Sequence, residues 1–331
     1  MPIAAKAIGN GPDDVYQLDL TVTQGDDLAL QFDFTDDGIP HDFTGYSANA
    51  QVRDAHHDLI TEFSSDASPA TAQINEGSIA LLHTSAEMTA IAAGQYRYDF
   101  QVSDPPSLIF AGRNGWVNVG DISELNSAAA FTIAMWLRQD VVGGSWVFIK
   151  NDLLLFISYT DFFRAQIADG DYGQLAAFST YAPIGAWTHI AVVYDGAGVT
   201  NADKLKVYTG GAARTLAFTG SIDATTPDLT GIDALPVAAT NRWWGSLRDY
   251  RIYSSALSAA NVAKLAANET YTTDLVHQWM FDDGGGSTAA DTGSNPMDGT
   301  LSPSLTSDAW VRAAVRTYFR GKFVVNQEVS V

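Results

Sequence analysis

The sequence predicts an all-β protein made of two β-sandwich domains, one of them assembled from both ends of the chain. Three observations carry that expectation. Short runs of alternating apolar and polar residues, bounded by Gly, Pro, Ser and Asp, recur along the 331 residues, and period-two alternation belongs to strands with one buried face. All eight tryptophans fall between Trp116 and Trp310, which marks the middle of the chain as a domain of its own. The strand pattern that breaks off at Pro105 and Pro106 resumes after Trp310, in "RTYFRGKFVVNQEVSV". The expected boundaries are 1–104 with 311–331 for the discontinuous sandwich and 105–310 for the domain inserted into it.

The elements follow in order. "DLALQFDFT" puts Leu28, Leu30, Phe32 and Phe34 on one face, as a strand packed on one side requires. "YSANAQVRD" and "QYRYDFQV" repeat the alternation, the second with Tyr96, Tyr98, Phe100 and Val102 inward. Between them Thr84 with Glu87 three residues on forms a capping box, and the short helix it starts is expected to stop at Gly94. At the far end, Arg320, Gly321 and Lys322 read as the turn of a hairpin. In the middle domain, "FTIAMWLRQ" and "WTHIAVVYDG" read as half-buried strands, and Ser258 to Asn268 as the one helix. The Gly-, Ser- and Asp-rich run from Asp282 to Gly299 reads as loops at one rim.

Composition narrows the function. The chain has no cysteine, so disulfides and thiol chemistry are excluded. Its formal charge of -20 argues against nucleic-acid binding, which rests on Lys and Arg neutralising phosphates. There is no apolar run of about eighteen residues for membrane insertion. The start, "MPIAAKAIGNGPDDVYQL", lacks the apolar core of an export signal. The charge is uneven: residues 1–104 carry 17 acidic and three basic side chains, whereas 311–331 carry one acidic and four basic.

Two resemblances add to this reading. "QGDDLALQFDF", "DFTGYSANAQVRD" and "GSIALLHTSAEMTAIAAGQYRYDFQV", completed by "RGKFVVNQEV", resemble the N-terminal domain of phage upper-baseplate proteins and related fibre and accessory proteins. That resemblance implies an Ig-like attachment sandwich, a place on the virion surface with other virion proteins as partners, and a homo-oligomer, with a trimer as the first expectation. "LIFAGRNGWVNVG", "FTIAMWLR", "GAWTHIAVVYDG", "KLKVYTGG", "WWGSLRDYRIYSSALSAANVAKLA" and "DLVHQWMFDDGGGSTAADTGSNPMDGTL" resemble the laminin-G-like, concanavalin A-like jelly rolls. The last of these blocks often opens such modules, and here it closes one. This second resemblance implies a display or adhesion module with host-surface glycans as ligands.

Candidate chemistry was sought in the middle domain. The E-x-D-x-E strand that carries paired carboxylates in some glycosidases of this fold is absent, and only Glu124 and Glu269 fall in the module. No G-x-S-x-G elbow occurs, and His189 and His277 read as packed or hydrogen-bonded histidines. No enzyme activity is expected. In "DTGSNPMDG", Asp291, Asn295 and Asp298 offer oxygen ligands to Ca2+, although the same residues also serve simply to make turns. Trp146, Tyr172, Trp243 and Trp244 are the aromatic candidates for stacking on sugars, against the alternative of packing beneath a loop or on a neighbouring subunit. The reading is a non-enzymatic accessory structural protein of a tailed-phage virion, in baseplate, tail or head fibre, or capsid decoration. A secreted or surface glycan-binding adhesin is the alternative, and a glycan depolymerase the third choice.

Overall fold

A computed structural model describes the chain outside residues 1–2, 6–15, 37–38, 41–42, 44–45, 66, 68, 76, 104, 111–114, 142–144, 151–152, 158–159, 229–232, 236–243, 306–308, 312–314 and 328–331. Its contacts divide the chain into two compact units, Met1–Pro105 with Ala313–Val331, and Pro106–Arg312.

The discontinuous unit is a sandwich of two sheets. One has the strand order Ile3–Ala5, Leu28–Asp33, Ser78–His83, Ala72–Asn75. The other runs Tyr16–Gln17, Val315–Asn326, Gly94–Ser103, Ser47–Arg53, Leu59–Ser64, with Leu20–Thr23 also paired to Val315–Asn326. Alternation does what the sequence predicts. Leu28, Leu30 and Phe32 are buried from the first sheet, and Ala48, Ala50, Val52, Tyr98, Phe100 and Val102 from the second. The two sets form one core in which Phe32 stacks on Phe100 with ring centroids 5.0 Å apart. The capping box of Thr84 and Glu87 is present and starts the helix Ser85–Thr89. That helix ends at Ala90, and Gly94 opens the next strand instead of stopping the helix.

The C-terminal segment is one strand, Val315–Asn326, and not a hairpin. The ten residues of Gly94–Ser103 are enough to pair with it throughout, from Gly94 opposite Val325 to Ser103 opposite Val315. A register shift between Phe100 and Gln101 leaves one extra residue on the C-terminal strand. That bulge, at Tyr318, lies upstream of the expected turn; across Arg320–Lys322 the ladder is regular, with Gly321 opposite Tyr98, so the glycine fills a strand position.

Pro106–Arg312 is a jelly roll of two larger sheets. The first has the order Ala212–Arg214, Leu205–Thr209, Trp187–Asp195, Ala130–Gln139, Gly245–Tyr253, Ser107–Ile109, Trp310–Val311, with Leu275–Trp279 also on Gly245–Tyr253. The second runs Ala217–Thr219, Asp171–Ala176, Phe162–Ala168, Leu153–Ile157, Ser145–Lys150, Asp233–Leu235, Val117–Gly120, Gly299–Leu301, Thr288–Ala289. Between them lies a core that includes Phe131, Ile133, Phe148, Phe163, Tyr250 and Trp279. The strands at the two ends of the unit pair with each other, Ser107 opposite Val311 and Leu108 opposite Trp310.

Ala130–Gln139 and Trp187–Asp195 are buried on both faces, not on one. The outer face is covered by the helix Ala259–Ala266, whose Val262 and Leu265 pack with Leu257 on Ala134, Ala191, Val193, Tyr208 and Tyr253. Ala134 and Ala191 are cross-strand partners, and their small side chains make the seat for the helix. Ser258 caps it by accepting from the Asn261 amide. Asn268, at φ 58°, closes it: its amide reaches Leu265 O and that of Glu269 reaches Lys264 O, the Schellman pattern. This helix is not alone, since Ser123–Leu125, Phe178–Tyr181 and Asn201–Lys204 add short helical turns, the last with a capping box of Thr200 and Asp203.

Phe323 is 1% exposed in the core of the discontinuous unit, so Phe323→Ala is expected to cost about 3–5 kcal/mol there. Hydrogen exchange in Gly94–Ser103 should accelerate. The emission of the tryptophans, all of which lie in Pro106–Arg312, should keep its native spectrum.

Candidate functional site

The candidate site lies on the outer face of the nine-stranded sheet, on the hairpin of Phe162–Ala168 and Asp171–Ala176. Its two-residue loop is Asp169 and Gly170, and the glycine takes φ 80°, as this tight turn demands. Phe163, Ala165, Ile167 and Leu175 point into the core. The alternate residues therefore face outward: Phe162, Arg164 and Gln166 on one strand, Tyr172 and Gln174 on the other. Register puts Arg164 opposite Gln174 and Gln166 opposite Tyr172.

Arg164 is held by rings. Its guanidinium carbon lies 3.9 Å from the Tyr172 ring centroid and 5.2 Å from that of Phe162, contacts worth roughly 0.5–2 kcal/mol each depending on exposure. Its Nε is buried with no hydrogen-bond partner, and no carboxylate among the described residues forms an ion pair with it. A planar donor fork clamped between aromatic faces and flanked by two amide side chains can recognise hydroxyl and carboxylate oxygens, while a ring face stacks on a sugar.

Of the four aromatics predicted from sequence, two share this sheet. Tyr172 is part of the clamp and stands in a strand, not a loop. Trp146 belongs to Ser145–Lys150, and register runs from its backbone through Phe156 and Arg164 to Gln174. The Trp146 side chain lies outside the described residues, as does the whole of Trp243. Trp244 precedes Gly245–Tyr253 in the other sheet, 44% exposed, with its carbonyl accepting from the Asp140 amide at 2.8 Å. Arg164 was not anticipated, although "FFRAQIADGDYGQLA" carries the signal for it: alternation on both sides of an Asp-Gly loop.

The predicted calcium residues form a different structure. Both Asp291 oxygens are occupied: Oδ1 accepts from the Gln278 and Gly293 amides at 2.7 and 2.8 Å, Oδ2 from His277 Nδ1 and the Met297 amide at 2.7 and 2.8 Å. Asn295 donates to Glu124 at 2.7 Å, and Asp298 accepts from the Asp291 amide at 3.0 Å. With its lone pairs taken, Asp291 does not fit a calcium shell. Among the described residues no three His, Asp or Glu side chains are grouped to hold an ion. The carboxylate anchors the rim loop instead.

His277 joins this anchor to Glu124, whose Oε2 is 3.4 Å from its Nε2. The ring is buried, stacked on Trp279 with centroids 5.4 Å apart. Burial opposes its charge, but the hydrogen bond and charge of Asp291, with those of Glu124, outweigh burial and hold its pKa above the ordinary histidine value. Burial likewise raises Asp291, and the His277 hydrogen bond with three backbone amides brings it below the usual carboxylate value. Glu124 is also lowered: burial opposes its charge, and its backbone, Asn295 and His277 more than offset that. His189, by contrast, is buried beside the Trp136 ring, and burial drives its pKa down to about 4.

The side chains of His277 and Asp291 are both fully buried, so Asp291→Ala is expected to destabilise the jelly roll by about 3–5 kcal/mol. The cost depends on pH. A raised histidine pKa contributes stability below its unfolded value near 6.5 and loses it as pH rises through the folded value; a lowered carboxylate contributes above about 4 and loses it as pH falls. The difference between wild type and variant in urea melts followed by tryptophan emission should therefore peak at about pH 5–6 and shrink on either side.

None of the curated proteins compared with the chain matches it. Among solved structures, a Bacteroides ovatus protein with a proposed carbohydrate-binding role is 11% identical, with 92% of this chain and 97% of that chain covered and a TM-score of 0.43. A SAP-like pentraxin from Limulus polyphemus is 14% identical over 64% of this chain and 94% of its own, with a TM-score of 0.32. Botulinum neurotoxin type C, whose cell entry depends on two ganglioside molecules, is 14% identical over 54% of this chain and 43% of its own, with a TM-score of 0.35. Residues 111–263, which lie within Pro106–Arg312, match the laminin G family model of the concanavalin A-like lectin/glucanases superfamily.

Proposed function

We propose that this chain is a non-enzymatic accessory protein of a tailed-phage virion, docked through its discontinuous sandwich and displaying the jelly roll as a glycan-binding adhesion domain. The observation that carries the glycan half is Arg164, whose guanidinium lies over the rings of Phe162 and Tyr172 with no carboxylate among the described residues paired to it. A cation so held favours acidic sugars, whose carboxylate meets the guanidinium while the ring packs on Tyr172. A lectin reading suits the rim better than a hydrolase reading. Where Asp291 and Glu124 approach each other, the buried imidazole of His277 fills the space a scissile bond needs. The virion half rests on the resemblance of the two chain ends to phage attachment domains, with a trimer as the working assembly.

Two experiments test the halves separately. On a glycan array the full chain is expected to retain acidic glycans, with binding falling about tenfold or more for Arg164→Gln and Tyr172→Ala; no retention at all leaves the module a structural part. Cross-linking in intact virions is expected to join residues 1–105 to a baseplate, fibre or capsid protein, and failure to find the chain in particles overturns the virion reading.

A further inference from the structure

A second charged feature stands on the discontinuous unit, independent of the glycan face. Register sets Arg53 opposite Arg97 and Arg97 opposite Lys322, three cations in one row across adjacent strands that stand about 4.8 Å apart. The neighbouring row is Gln51, Asp99 and Arg320. Both rows line one cavity of about 480 Å³, together with Asp54 and His57.

The row is hard to account for as fold alone. Like charges directly opposite on a sheet are destabilising, and this chain, at -20, has carboxylates to spare. Yet the side chains of Arg97, Arg320 and Lys322 make no ion pair or hydrogen bond with any described residue. The two carboxylates in the cavity have other work. Asp54 accepts from the His56 and Asp58 amides at 2.8 and 3.0 Å, which fixes the turn where His57 takes φ 69°. Asp99 accepts from the Gln101 amide side chain. Arg53 is already positioned: Nη1 donates to His57 O at 2.9 Å and Nη2 to Gln51 Oε1 at 2.6 Å.

We propose that this cavity binds a small ligand carrying two or more oxyanions, carboxylate or phosphate. Arg97 and Lys322 are its principal contacts and Arg320 reaches it from the next row. The volume suits a small molecule, and a bound polyanion offsets the repulsion along the row. Guanidinium forks give it orientation as well as charge.

Calorimetry on the full chain tests this with inorganic tripolyphosphate and tricarballylate, neither of them a sugar, which separate phosphate from carboxylate as the preferred oxyanion. At least one should bind with one-to-one stoichiometry and weaken as salt rises from 50 to 200 mM. Arg97→Gln with Lys322→Gln should cut affinity about tenfold or more, while Lys264→Gln, at an exposed position on the helix Ala259–Ala266, leaves it unchanged. Without ligand the same double variant should melt at a higher temperature, because it relieves the repulsion. Absence of binding by both probes overturns the site. So does unaltered binding by the double variant, or a lower melting temperature for it.

Discussion

The pairing of Gly94–Ser103 with Val315–Asn326 is the interaction on which the rest of this architecture depends. It joins residues more than two hundred positions apart, yet closure entropy grows only with the logarithm of loop length. What matters more is whether the intervening chain brings its own ends together. Pro106–Arg312 does so, because Ser107–Ile109 and Trp310–Val311 pair with each other at its two ends. On the host side, Ser103 and Val315 are themselves register partners. A strand that leaves and a strand that returns are neighbours in each unit, so host pairing continues up to Ser103 and Val315, the last partners before the interruption.

The two jelly-roll sheets dispose of their outer faces in different ways. On the eight-stranded sheet, Ala134 and Ala191 hollow out a seat and the helix Ala259–Ala266 fills it, so central strands are buried on both sides. On the nine-stranded sheet, Phe162, Arg164, Tyr172 and Gln174 are half-buried, packed on one another rather than under a helix. The first face is spent on stability. The second keeps amphipathic side chains packed in a fixed arrangement.

Much of this was legible in the sequence, and what was not has a common cause. Alternation at Leu28, Leu30 and Phe32, the capping box at Thr84 and the cap at Ser258 are local signals, and the structure carries each of them. Features set by a partner strand were not legible. Gly321 finds its place opposite Tyr98 only in register, so a continuous strand looked like a hairpin. Asp291 has the chemistry of a cation ligand, and only the arrival of Gln278 and His277 from a neighbouring strand shows that its oxygens are taken. Glu124 and His277 lie 153 positions apart. The row of Arg53, Arg97 and Lys322 is likewise invisible until three strands are aligned.

Charge scarcity gives these cations their meaning. With 18 Lys and Arg against 38 Asp and Glu, a basic side chain in this protein has acidic neighbours available, and several take one. Lys150 pairs with Asp121, Arg251 with Asp249 through two 2.7 Å contacts, Arg138 with Asp140. His277 takes two carboxylates. Against that background, Arg164, which lies over two rings, and Arg97 and Lys322 form no ion pair with any described carboxylate. On the readings proposed above, a cation with no carboxylate partner among the described residues stays available to an anion from outside. On those readings the jelly roll would do this with one guanidinium packed on rings, and the discontinuous sandwich with the row of Arg53, Arg97 and Lys322.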